Sequence, residues 1–92
     1  MTLGVVRRMG EGVVEANHQV SLLDLRDGHE GAVVALQGGR GFVGRMAALG
    51  FTPGAIVRIV RNPGRGPIIV SILDTQIALG RGQARHVVVK PR

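Results

Sequence analysis

The chain has 92 residues, a formal charge of +6, and no cysteine, tryptophan or tyrosine. That length makes one domain with one core, burying only about 60% of its potential surface, and leaves no room for a two-domain enzyme with a closing cleft. The absence of cysteine excludes disulfides, thiolate nucleophiles, iron–sulfur clusters and thiolate zinc sites together.

Residues 1–20 carry only weak pattern, the apolar pairs Val5-Val6 and Val13-Val14 separated by Met9-Gly10 and Gly12. They contain no h-region of a secretory signal, and no run anywhere is long enough to span a bilayer. The chain therefore reads as soluble and cytoplasmic. We read residues 1–20 as an N-terminal extension, a mobile tail or a strand that orders on contact. Residues 21–92 read as the single folded domain.

Ser21 followed by Asp24 spells a capping box, and predicts one helical turn over Leu22, Leu23 and Leu25 before a turn at Asp27-Gly28. Glu30–Leu36 reads as a strand, with Ala32, Val34 and Leu36 on one face and Val33 and Ala35 on the other. Gly38-Gly39 ends it. Arg40–Leu49 reads as a helix, since Val43, Met46 and Ala47 fall at i, i+3 and i+4. Gly50 stands at the left-handed C′ position, Phe51 is placed to contact Met46, and Pro53 blocks continuation. Ala55–Arg61 reads as a strand. Asn62-Pro63-Gly64-Arg65-Gly66-Pro67 reads as an exposed, basic loop. Ile68–Leu73 and Gln76–Leu79 read as a hairpin turning at Asp74-Thr75. Gly80–Arg85 gives a helical turn and Val87–Lys90 the last strand, stopped by Pro91. Five short antiparallel strands with one inserted helix predict a small closed SH3-like barrel, mainly β, with an OB-fold as the nearest competitor.

Apolar residues make up 45% of the chain, but Phe42 and Phe51 are its only aromatics, so the core must be aliphatic. Eleven of the twelve cations are arginine. Between Gly31 and Leu73 stand Arg40, Arg45, Arg58, Arg61 and Arg65 with no acid among them. Such a run attracts nucleic acid, lipid headgroups or an acidic protein face, or merely keeps the surface solvated.

Gly39-x-Gly41-x-x-Gly44 matches the spelling of a dinucleotide fingerprint. That chemistry needs a βαβ unit and an acid about 20 residues further on. No Asp or Glu occurs between Glu30 and Asp74, and no Gly-Lys-Ser/Thr phosphate loop exists. The glycines read instead as a tight strand-to-helix turn, with Gly44 allowing close helix packing. His29, His86, Ser21 and Ser71 lie at no spacing that suggests nucleophilic or acid–base chemistry, so we expect no enzyme and no cofactor. Asp24, Asp27, His29 and Glu30 form the one cluster with metal-ligand character; it reads as turn capping, and no metal site is assigned. The shortage of rings disfavours proline-rich and single-stranded nucleic-acid recognition.

The order of segments resembles the FeoA family of ferrous iron transport accessory proteins. The segments are SLLDLRDGHEGAVVALQGG, GRMAALGFTPGAIVRIVR, GPIIVSI and IALGRGQARHVVV. Leu49-Gly50-Phe51-Thr52-Pro53-Gly54 is the most specific of them; Leu22-x-x-Leu25-x-x-Gly28, Gly66-Pro67, and Ala84 three residues before Val87 also match. The resemblance spans about residues 20–90 and implies an SH3-like barrel. It also implies a non-enzymatic cytosolic protein that binds the GTP-binding part of the membrane ferrous iron permease and modulates transport. Gly80 and Gly82 depart from the family's helix formers after the hairpin, and the N-terminal extension is extra. The resemblance brings no metal ligands or catalytic residues with it. Arginine pairs with carboxylates in defined geometry, so Arg40, Arg45 and Arg65 are the expected partner-binding residues. Exposed strand edges and the Val-rich tail leave room for a homodimer. The alternative reading is an RNA-binding module, because Asp27-Gly28-x-x-Gly31-x-Val33-Val34 before Gly38-Gly39 also looks like the KOW element of SH3-like ribosomal and transcription proteins.

Overall fold

A computed structural model describes residues 18–92. Most of the expected N-terminal extension, residues 1–17, lies outside the described residues. The rest forms β1 (Val20–Ser21), a 3₁₀ turn (Leu22–Asp24), β2 (Glu30–Leu36), α1 (Arg40–Ala48), β3 (Ile56–Arg61), β4 (Ile68–Ile72), β5 (Thr75–Leu79), α2 (Arg81–Arg85) and β6 (Val87–Pro91). All strand pairs are antiparallel. They make one sheet in the order β1-β6-β2-β3-β4-β5.

Two features of the expected barrel change. The sheet has six strands, because Val20 and Ser21 pair with Val89 and Val88. Two residues are too few to show a period of two in sequence. The sheet is also not closed by hydrogen bonds, since β1 and β5 stand at opposite ends of the strand order. The core is nonetheless wrapped. Leu22, Met46, Phe51, Ile59, Ile68, Ile72 and Leu79 are fully buried in one cluster, and no polar or charged residue is buried with them among the described residues.

The helix boundary at Gly50 follows its sequence signal in detail. The Gly50 N–H donates to the Ala47 carbonyl at 2.9 Å and the Phe51 N–H to the Met46 carbonyl at 3.0 Å. This is a Schellman closure, with Gly50 at φ +107° and Met46 and Phe51 buried together. The Ser21 capping box is also present: its hydroxyl accepts from the Leu23 N–H, and the Asp24 carboxylate accepts from the Ser21 N–H.

Three local expectations are corrected. A bulge between Val33 and Ala35 breaks the alternation of β2, so Gly31 and Val33 share the buried face and the phase then shifts. The β4–β5 hairpin turns at Leu73-Asp74 instead of Asp74-Thr75. Both residues have positive φ, +52° and +61°, which is the type I′ geometry that matches strand twist. Leucine is a poor residue for such a turn, which hides it from sequence reading. The fingerprint glycines carry no packing role: a Cβ at Gly39 or Gly44 would meet nothing within 4 Å. The close approach is at Gly38, where a Cβ would lie 2.6 Å from the Phe42 ring.

Candidate partner-binding surface

The three predicted arginines are all exposed, but they stand on separate supports. Arg40 opens α1, whose first turn holds no acid. A cation there opposes the helix dipole, at a cost of roughly 0.3–1 kcal/mol, so its charge does not serve the helix. Arg45 lies in the last turn of α1, where the dipole favours a cation. Its guanidinium reaches back towards Gly41, where a Cβ would stand 3.5 Å from Nη1. Arg65 occupies the tip of the 62–67 loop, between Gly64 at φ +93° and Gly66 at φ +73°.

The short helix α2 has contacts towards both supports. Near its C-terminal end, Phe42 of α1 meets the His86 ring edge-on with centroids 6.1 Å apart. At its start, Arg81 Nη1 donates to Asn62 Oδ1 at 3.1 Å and to the Gly66 carbonyl at 3.4 Å. Gln83 Oε1 accepts from the Gly80 N–H, which partly offsets the weak helix propensity of Gly82.

Asn62 fixes the loop that carries Arg65. Its amide nitrogen donates to the Leu23 and Leu25 carbonyls at 3.1 and 2.9 Å. Its amide oxygen accepts from the Gly64 N–H as well as from Arg81. Its own N–H donates to Asp27 Oδ1. Sequence reading took Asn62 only as the start of a loop. A buried-side amide with four partners leaves no local pattern, because its partners lie 19 to 39 residues away or in the following turn. Ser21 was likewise read as a cap alone; its hydroxyl also donates to the Arg85 carbonyl at 3.0 Å, tying the 3₁₀ turn to the end of α2.

The acidic cluster is occupied structurally. Asp24 closes the capping box, Asp27 holds Asn62, and Glu30 pairs with Arg92 at 3.9 Å. That ion pair is half-exposed on both sides and contributes little. Among the described residues no group of three or more histidine and acidic side chains converges. None of the helices there is long and apolar enough to cross a membrane. A shallow depression of about 250 Å³ lies on the outer sheet face beside the Leu73-Asp74 turn, with Glu30, Arg58 and Ser71 in its polar lining. Its rim includes Ile56 and Leu73, which are 37% and 72% exposed.

The open, helix-inserted antiparallel sheet, with exposed arginines on α1 and on the 62–67 loop, is a small SH3-like fold. Residues 20–91 match the FeoA domain model, and the chain belongs to that family. A relative from Methanocaldococcus jannaschii, designated "Putative Fe(2+) transport protein A", is 32% identical over 65 residues, covering 71% of this chain and 78% of the relative. A crystal structure of the iron uptake regulatory protein FeoA superimposes with a TM-score of 0.78 at 32% identity, over 82% of this chain and all of that one. FeoA of Stenotrophomonas maltophilia, described as a procaryotic SH3 domain protein and crystallised with zinc, gives a TM-score of 0.70 at 29% identity. That match covers 77% of this chain and 89% of that one.

Proposed function

We propose that this protein is a non-enzymatic cytosolic accessory factor of ferrous iron uptake. It docks on the cytosolic GTP-binding part of the membrane ferrous iron permease and modulates transport. Membership of the FeoA family over residues 20–91 carries this reading. The supporting feature is the acid-free run from Gly31 to Leu73, which presents Arg40, Arg45 and Arg65 on the surface. Arg40 is placed against its own helix dipole, so a carboxylate on a partner is a better explanation of it than helix stability. The domain begins at Val20, which pairs with Val89 in the sheet, so the extension we propose ends before Val20.

Co-precipitation of the full chain with the permease's cytosolic domain tests the proposal. Wild-type protein is retained, and Arg45→Glu is retained less. Retention that is the same for Arg40→Glu, Arg45→Glu and Arg65→Glu removes these residues from the docking surface. Absence of any complex removes the permease as the partner.

A further inference from the structure

The two edges of the sheet are unlike. β1 has two residues and offers little to pair with. β5 has five, Thr75-Gln76-Ile77-Ala78-Leu79, and no strand among the described residues lies on its outer side. Natural edges are blunted by lysine, proline, bulges or inward charges. β5 has no charge and no proline, and its pairing with β4 runs unbroken from Ile72↔Thr75 to Ile68↔Leu79.

The register says which backbone groups are free. A two-residue I′ turn at Leu73-Asp74 makes Ile72↔Thr75 a hydrogen-bonded pair. Bonded and non-bonded pairs then alternate along the ladder, so Thr75, Ile77 and Leu79 aim their N–H and C=O groups at β4. Gln76 and Ala78 aim theirs outward. Two outward residues separated by one form a self-complementary set under a two-fold axis.

We propose that β5 is a docking edge for a second copy of this chain, joined as an antiparallel β5–β5 pair with the two-fold axis at Ile77. Gln76 of each copy then stands opposite Ala78 of the other, exchanging both backbone bonds, and Ile77 stands opposite Ile77. Thr75 faces Leu79 across the pair. Each cross-strand pair is neutral, so no like charges oppose each other within the ladder. Ile77, half-buried at the open edge of the core, gains cover in this pair. The isologous arrangement is the commonest form of homo-oligomer.

Residue-resolved hydrogen exchange on the full chain, from micromolar to millimolar protein, tests this together with mass by light scattering. The amides of Thr75, Ile77 and Leu79 are protected at every concentration, through β4. Those of Gln76 and Ala78 gain protection only as the dimer forms. A double variant, Gln76→Lys with Ala78→Lys, puts lysine opposite lysine at two exposed positions and weakens the dimer about tenfold or more. Because each copy carries +6, added salt strengthens this dimer, whereas it weakens docking on an acidic partner. A monomer throughout, with free exchange at Gln76 and Ala78, overturns the proposal. So does protection of these two amides that is independent of concentration, which assigns the edge to an intramolecular cover.

Discussion

Gly50 holds φ at +107°, and a Cβ added there would lie 2.7 Å from Leu73 Cδ1. Two costs therefore meet at one residue, a left-handed backbone and a crowded neighbour. Gly50→Ala is expected to destabilise the fold by about 1–2 kcal/mol, most of it from the backbone, because the Leu73 tip can rotate away. Chemical denaturation checks it, and a change near zero would show that the helix end tolerates a different closure. This residue was legible in the sequence because its signal is local: a helix periodicity stops, and Gly, Phe and Pro follow in fixed order. Leu73 was not legible. It holds φ at +52° in a hairpin turn where Asn or Gly is usual, so the turn was placed one residue late.

At the scale of elements, β2 to β6 and α1 were readable from their apolar runs, periods and bounding turn residues, whereas the two-residue β1 was not. The assembly around the 62–67 loop was not. The loop, the 3₁₀ turn and α2 are joined by Asn62, Arg81 and Ser21, whose partners are remote in sequence. Asn62→Ala removes the donors to two carbonyls and the acceptor for Arg81 and Gly64 at once. With roughly 1 kcal/mol net for each neutral hydrogen bond and some replacement by water, a loss of about 2 kcal/mol is expected. Asn62→Asp restores the acceptor but turns a carboxylate oxygen towards the Leu23 and Leu25 carbonyls, so it should not rescue stability. Thermal unfolding of the two variants reads this directly; full recovery in Asn62→Asp would mean that the Arg81 bond, and not the carbonyl pair, holds the loop. The bulge in β2 is a second feature that period alone could not show, since Val33, Val34 and Ala35 are apolar on both sides of it.

The molecule as a whole carries +6, with its acids confined to positions before Gly31 and after Leu73. The charge was visible in the sequence, as was the family. The placement of Arg40 and Arg45 on a helix and of Arg65 on an exposed loop was visible too; the joining of those two supports was not, since α2 contacts both through His86 and Arg81. An RNA-binding surface of this charge would lose affinity steeply between about 50 and 200 mM salt and would not require a protein partner. The account predicts no RNA binding by fluorescence anisotropy at the low end of that range; tight binding there would move the function to the KOW-like alternative.

The central claim is a carboxylate-bearing partner met by these three arginines. Its most direct measurement is the calorimetric affinity of the full chain for the permease's cytosolic domain, wild type against the triple reversal Arg40→Glu, Arg45→Glu and Arg65→Glu. The three sites are exposed, so the variant is expected to fold, and circular dichroism verifies that it does. With about 1 kcal/mol or more lost at each reversed contact, the account predicts an affinity at least a hundredfold weaker. Equal affinities for the two folded proteins would contradict it.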